Sequence, residues 1–522
     1  VATGGQLVAE TLRELGTETI FSLSGNQILP IFDAAGDFGL KLIHVRHESA
    51  AVFAAAASAD LTQRPGVALV SAGPGFVAAL LGLATAKSLE LPLLFLSGAS
   101  DTAEIGMGSF QDLDQAAMAR VVCKETMAVD SVADVPKTLR RAWRLAQAAI
   151  PGPVHVSLPK NVLAGASSAK SLEEPESPAF SPGPADEKIL AAMARKLVEA
   201  ERPLVIGRPS AGRGRAGECL RRLARQLGTE PVITECPRGL HDLKYRAIIR
   251  SYPESDCALV VAPADFAVGF LSPSAIARDG AILLIDAPGD PRPRRAPDLH
   301  LQVPPEVALS YLVDATASRP TVEAEPRVEV APPESGPQAG LHPLQVAQCI
   351  GSVLEPEDFV VLDGGEFCQW VRLGLGHLPN RTLWNSKLGT IGGAIPMALG
   401  ISASGYPGRT IAIVGDGGFG YHASELETAA RYGFPMVLVV GNDARWAAEW
   451  HLQVSRYGRD RTFGTELTAA RYDRAAIGFG AEAVSVTELS ELREALAAAF
   501  SSRGPVCLNV QILSVRSPAI NS

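Results

Sequence analysis

No stretch of this 522-residue chain stays apolar for the roughly 18 residues that a membrane-spanning helix needs. The first residues, Val1-Ala2-Thr3, are not a basic segment followed by an apolar one, so no signal peptide is visible. Cysteine is sparse and odd in number, seven in all, and no two are spaced as C-x-x-C. That pattern argues against a disulfide framework or a zinc site and predicts reduced thiols in a cytoplasmic setting. An excess of positive charge is missing too: the formal balance is −9 at pH 7, which speaks against a nucleic-acid surface. The basic cluster from Arg292 to Arg295 reads as a solvated loop. Neither a nucleic acid nor a membrane is therefore expected as a partner.

What is present is the composition of a globular α/β protein, 47% hydrophobic and 20% charged. Its length suits three domains. Three αβ-patterned blocks, residues 1–163, 188–314 and 341–513, are separated by stretches rich in Pro, Glu and Ser that read as linkers. Strands are predicted at Thr19–Leu23, Lys41–Val45, Val67–Ser71, Leu93–Leu96 and Val154–Leu158 in the first block. The second has them at Leu204–Ile206, Val232–Thr234, Ala258–Val261 and Ile282–Ile285. The third has them at Phe359–Leu362, Ile411–Val414, Val437–Val440 and Cys507–Ile512. Gly152-Pro153-Val154 and Gly504-Pro505-Val506 each feed a final strand, so the outer blocks echo one another.

Chemistry concentrates at strand ends. Gly415-Asp416-Gly417-Gly418 closes one apolar run and Asn442 closes the next, with a helical pattern over residues 423–432 between them. Parallel strands would bring both polar residues to the carboxyl edge of the sheet, where open α/β sheets bind ligands. A carboxylate and an amide oxygen there suit a hard cation, Mg²⁺ best, since it completes its octahedron with phosphate and water. In the first block, Arg46-His47-Glu48 follows a strand and opens an Ala-rich helix, and Gly73-Pro74-Gly75 is a second strand-to-helix turn at the same edge. Glu48 alone reads as a carboxylate favoured by the helix dipole, and the second turn shifts that reading toward a ligand site. The glycines at 73 and 75 would let another backbone or a ligand come close.

Taken together, Arg46-His47-Glu48, Gly73-Pro74-Gly75, Phe110-Gln111 and Gly415-Asp416-Gly417 with Asn442 resemble the thiamine diphosphate (ThDP) enzymes of the acetohydroxyacid synthase and pyruvate-decarboxylase-like superfamily. The resemblance spans nearly the whole chain. It implies two ThDP-binding α/β domains with parallel sheets, a pyrimidine-binding one at 1–163 and a diphosphate-binding one at 341–513, flanking a Rossmann-like central domain at 188–314. It also implies Mg²⁺ held by Asp416, Asn442 and the carbonyl of Ala444. Glu48 would share a proton with the aminopyrimidine, and Ile391, after Gly389, would wedge between the two cofactor rings; a core Ile on a helix is the plainer alternative. In the family the two outer domains that meet at one cofactor come from different subunits, so the resemblance implies a homodimer at least, or a homotetramer.

Further positions bear on the chemistry that the resemblance implies. Gln111 matches the glutamine of acetohydroxyacid synthases, benzaldehyde lyase and 2-hydroxyacyl-CoA lyases, and Gln27 stands where benzaldehyde lyase has a catalytic His. An amide orients a carbonyl or hydroxyl but is a poor proton donor. His451 is the local acid/base candidate, with a packed or solvent-facing ring as the alternative. Trp446 and Trp450 would shape the substrate pocket, and Lys387 could meet a substrate carboxylate. Gly207-Arg208-Pro209-Ser210 could approach phosphates. The replacement of a family Gly-Ala-Arg by Pro263-Ala264-Asp265 argues against FAD or ADP in the central domain, since it removes a backbone donor and adds a negative charge. The family's Asn is absent at Ala78. The resemblance therefore implies an acetolactate-synthase-like carboligase, decarboxylating a 2-keto acid and transferring the two-carbon unit to an acceptor, with a small-molecule 2-keto acid or 2-hydroxy ketone as partner. The alternatives are a lyase of the benzaldehyde lyase, 2-hydroxyacyl-CoA lyase or oxalyl-CoA decarboxylase type, and a non-catalytic homologue that binds ThDP.

Overall fold

The computed structural model describes residues 1–148, 150–167, 182–236, 238, 242–245, 252–262, 280–287, 290, 296–317, 340–375, 381–384 and 386–518. The Arg292–Arg295 cluster, the Pro263-Ala264-Asp265 segment and most of both predicted linkers lie outside the described residues. The described residues fall into two compact units. One joins those up to 167 with those from 340 to 518, and the other holds those from 182 to 317.

The first unit contains a short antiparallel pair, Ala2–Thr3 with Ala166–Ser167, and two six-stranded sheets. The N-terminal one is built from β1 (Thr19–Ser22), β2 (Lys41–His44), β3 (Gly66–Val70), β4 (Leu93–Ala99), β5 (Glu125–Ala128) and β6 (Pro153–Pro159). Its strand order is β2-β1-β3-β4-β6-β5, with every pair parallel. The second unit has a five-stranded parallel sheet, made of β7 (Pro203–Gly207), β8 (Pro231–Ile233), β9 (Cys257–Val261), β10 (Ala281–Asp286) and β11 (Leu299–Gln302) in the order β8-β7-β9-β10-β11. Returning to the first unit, the C-terminal sheet takes β12 (Phe359–Leu362), β13 (Arg381–Trp384), β14 (Thr410–Gly415), β15 (Met436–Asn442), β16 (Glu482–Val486) and β17 (Pro505–Gln511). Its order, β13-β12-β14-β15-β17-β16, repeats the permutation of the N-terminal sheet strand for strand. The echoed Gly-Pro-Val segments enter β6 and β17, the equivalent positions in the two sheets.

Every predicted strand is present. In the three larger sheets, those without a prediction, β5, β11, β13 and β16, are all edge strands. Central strands buried on both faces read as continuous apolar runs, whereas edge strands are interrupted by polar residues.

Between the two sheets of the first unit lies one shared core. At its centre helix α1 (Glu48–Thr62) packs on helix α2 (Pro74–Ser88) and on helix α3 (Ala394–Ala403). The run of alanines in α1 is buried all round, as a helix covered on every side requires. Contact with α3 is very close: a Cβ added at Gly400 would lie 2.2 Å from the carbonyl oxygen of Ala54.

The predicted helical stretch over 423–432 is preceded by a separate helix. Helix α4 (Asp416–His422) starts at Asp416 itself, and helix α5 (Glu425–Tyr432) follows. Helix α5 docks on the chain leaving β2. Glu425 accepts from the Arg46 backbone N–H at 3.0 Å and the Thr428 hydroxyl at 2.8 Å, and the Tyr432 hydroxyl accepts from the His44 N–H at 2.9 Å.

Burial raises the Glu425 carboxyl from its ordinary 4.5 to about 7, against the pull of its donors at Thr428, Arg46 and His47. Between those two values the unfolded chain has released a proton that the folded chain keeps, so stability falls as pH rises through this window and then levels. The variant Glu425→Gln retains the acceptor and cannot ionise. Its Tm is expected to match the wild type near pH 4.5 and exceed it by pH 8, by at most about 3 kcal/mol in stability. Thermal melts of both proteins across that range check it.

Candidate active site

The N-terminal set of predicted residues gathers at the carboxyl edge of the first sheet. Glu48 is the first residue of α1, and its half-buried carboxylate makes no hydrogen bond or ion pair among the described residues. Gly73 has φ +57, a left-handed conformation that favours glycine, and starts α2 through Pro74. A Cβ at Gly73 would meet the Gln111 carbonyl oxygen at 2.8 Å, and one at Gly75 would meet Glu48 Oε1 at 3.3 Å. The Gly73-Pro74-Gly75 turn therefore sits between Glu48 and Gln111. Gln111 itself is left-handed, with φ +63. Its side-chain oxygen accepts from Gln27 Nε2 at 2.8 Å, and Gln27 Oε1 accepts from the Ser71 hydroxyl at 2.6 Å. Gln27 is only 3% exposed. The two predicted amides thus form one hydrogen-bonded line, anchored by a serine that sequence reasoning did not single out.

At the same edge of the C-terminal sheet, β14 and β15 pair with Gly415 opposite Gly441, which brings Asp416 and Asn442 to neighbouring strand ends. Asp416 Oδ1 accepts from the Gly417 N–H at 2.8 Å, while its Oδ2 is buried without a partner. Burial, with the nearby Asp443 adding to it, raises the Asp416 carboxyl to about 7. Asn442 is oriented by its amide nitrogen, which donates to the Ala470 carbonyl and to Asn509 Oδ1, both at 3.1 Å. That leaves Asn442 Oδ1 on the side of Ala444, whose N–H donates to it at 3.3 Å. Ala444 has φ +56, uncommon for a residue with a side chain. A partnerless buried carboxylate oxygen beside an oriented amide oxygen is a donor set that fits a hard divalent cation.

Around this pair stand the other predicted residues. Ile391 is half-buried in the turn before α3, on no helix, and follows Gly389, which has φ +75. Lys387 is half-buried. The Trp446 indole lies against the first turn of α4: a Cβ at Gly417 would be 2.5 Å from its ring. Trp450 is 9% exposed, with the Arg445 guanidinium 4.7 Å from its ring centroid. His451 packs edge-on against Trp450 and is 3.5 Å from the Ser514 hydroxyl. Burial lowers the His451 ring, Glu366 opposes, and Arg516 and Arg445 add to the fall.

Comparison with known proteins decides the family. Residues 2–118 match the thiamine pyrophosphate enzyme N-terminal TPP binding domain, and residues 363–510 match the C-terminal TPP binding domain. A 2-hydroxyacyl-CoA lyase 2 of Bos taurus is 30% identical, aligned over 94% of this chain and 86% of its own length. An acetolactate synthase of Bacillus subtilis is 28% identical over 98% and 93%, and a probable acetolactate synthase of Mycobacterium bovis is 28% identical over 97% and 95%. The chain belongs to the thiamine pyrophosphate enzyme family.

Within this thiamine pyrophosphate enzyme, two residues that no motif pointed to shape the site. Asp363, fully buried just beyond β12, accepts the Gly392 N–H with both oxygens, at 2.9 and 2.8 Å. His422, at the end of α4, donates from Nδ1 to the Gly392 carbonyl at 2.6 Å. Asp363 had a usable signal, as an acid directly after a strand at the ligand edge. His422 had none, because its contacts reach residues far away in the chain.

Because the Gly417 site faces an indole, Gly417→Ala is expected to push the Trp446 ring aside, at a cost of about 1–3 kcal/mol. Acrylamide quenching of tryptophan fluorescence should rise in the variant, and the rise should vanish in a Trp446→Phe background.

Proposed function

We propose that this thiamine pyrophosphate enzyme uses Mg²⁺ and is acetolactate-synthase-like, decarboxylating a 2-keto acid and joining the remaining two-carbon unit to an acceptor carbonyl. The observation that carries the reading is the hydrogen-bonded line Ser71–Gln27–Gln111, in which an amide, Gln27, takes the position that a catalytic imidazole has in benzaldehyde lyase. Two acetolactate synthases aligned over almost their whole length support it.

In this reading Asp416 Oδ2, Asn442 Oδ1 and the Ala444 carbonyl hold Mg²⁺, and Gly415, Gly417 and Gly418 let the diphosphate approach. Bound ThDP supplies the electron sink for carbon–carbon cleavage. Glu48 holds a proton at the pyrimidine nitrogen, and Gly73, Pro74 and Gly75 keep that ring's path clear. Ile391 packs between the rings, an orientation effect. Gln111, held by Gln27, orients the substrate carbonyl. His451 would hand a proton to the acceptor oxygen, Lys387 would meet a carboxylate, and Trp446 and Trp450 would bound the pocket. In the overall reaction the bond to the carboxylate carbon breaks, CO₂ leaves, and a bond to the acceptor carbonyl carbon forms as its oxygen gains a proton.

Three features support finer parts of this reading. Exposed Met107, Phe110 and Phe463, at 78%, 75% and 73%, suit a subunit interface, and so a homodimer or homotetramer. Seven free cysteines suit the cytoplasm. In the second unit Arg208 is buried against Asp290 at 2.6 Å, which supports reading that unit without FAD or ADP.

A second reading, a 2-hydroxyacyl-CoA lyase, is favoured by the Bos taurus relative, which carries the highest identity given above. Incubation with ThDP, Mg²⁺ and pyruvate, with products identified, separates them. Acetolactate is expected; cleavage of a 2-hydroxyacyl-CoA with pyruvate untouched would establish the second. Glu48→Gln is expected to slow exchange of the ThDP C2 proton by about 10²–10⁴-fold while ThDP still binds, as NMR-monitored deuterium exchange would show.

A further inference from the structure

His422 is a buried, titratable side chain that the proposed reaction does not use. It is 2% exposed, and burial lowers its ring to about 4, so it is neutral at ordinary pH. Its hydrogens can be assigned from its partners. The Gly392 carbonyl can only accept, so Nδ1, 2.6 Å away, carries the ring hydrogen. Nε2 of the neutral ring is then bare and accepts from the Ser49 hydroxyl, 2.8 Å away. His47 Nδ1 lies 2.7 Å from the same hydroxyl, which has one hydrogen to give. The buried nitrogen takes it, because a bare acceptor out of reach of water loses its hydration without return. His47 is exposed and receives the Ser49 backbone N–H at 3.2 Å instead.

The two ends of this relay are not neutral ground. Ser49 is the second residue of α1, directly after Glu48. Gly392 directly follows Ile391, has φ +83, and has its N–H held by Asp363. We propose that His422 is a positioning residue for the cofactor sites, which ties the helix turn carrying Glu48 to the turn carrying Ile391 of the same chain, elements that face two different cofactors in the proposed dimer, through two directional hydrogen bonds, from the Ser49 hydroxyl to Nε2 and from Nδ1 to the Gly392 carbonyl. The inference rests on the reading that Ile391 contacts ThDP. The tautomer assignment does not.

Three substitutions separate the two bonds. His422→Asn keeps a donor near the Nδ1 position, His422→Gln keeps a polar atom near the Nε2 position, and His422→Phe keeps only the ring. The Phe variant is expected to bind ThDP about tenfold more weakly or worse, the Asn variant to recover most of that loss, and the Gln variant to recover little. Titration calorimetry with ThDP and Mg²⁺ reads this order. A packing role alone would favour Phe over Asn, and that order would overturn the proposal. The wild-type protein without cofactor gives a second test: ¹⁵N-histidine NMR should show His422 as the neutral Nδ1–H tautomer. An Nε2–H tautomer would sink the relay even with the variants unfolded. Wild-type protein that binds no ThDP while showing the Nδ1–H tautomer would instead remove the cofactor reading and leave the relay standing.

Discussion

Helix α3 can approach helix α1 as it does only because residue 400 has no side chain and residue 54 carries a single methyl group. At that separation the two backbones leave no room for a larger residue, and α1 is clasped between its own sheet, α2 and a helix of the other sheet. The starts of both helices are fixed as a result: Glu48 opens one, and the Ile391–Gly392 turn leads into the other. The Thr85 and Thr390 hydroxyls, 2.9 Å apart, pin the same region from α2. Helices that meet backbone to backbone transmit position more faithfully than helices that meet through long, rotatable side chains.

Buried polarity is arranged on top of this apolar contact, and much of it around the two helix starts belongs to directed hydrogen bonds. Asp363 holds the Gly392 N–H, Glu425 holds the chain entering α1, and Asn509 orients Asn442. Among the buried side-chain atoms left without a hydrogen-bond partner, the one at the strand ends is Asp416 Oδ2, close to a second acid, Asp443. A carboxylate pushed up to about 7 by burial and by a like charge is the signature of a place that a cation would relieve.

Much of this was legible in the amino-acid order. Asp416 and Asn442 each follow an apolar run, so strand ends could be inferred and a shared edge followed from parallel pairing. Glu48 and the Gly73-Pro74-Gly75 turn were legible by the same logic, and the α/β class followed from alternating patterns. Edge strands such as Glu482–Val486 were not legible, because solvent on one side removes the continuous apolar run. Ser49 and His422 were not legible for a different reason. Each looks like an ordinary helix residue, and their significance lies in a contact between positions 373 residues apart in the chain.

The matching strand order of the N- and C-terminal sheets has a consequence of its own. Two halves with the same winding carry their ligand edges at the same topological address, yet one presents a glutamate and two amides and the other an aspartate and an asparagine. The scaffold appears twice and the chemistry once each, in two domains that each match a TPP binding domain. Mutations accepted in the scaffold of one copy therefore offer a guide to what the other copy tolerates, strand by equivalent strand.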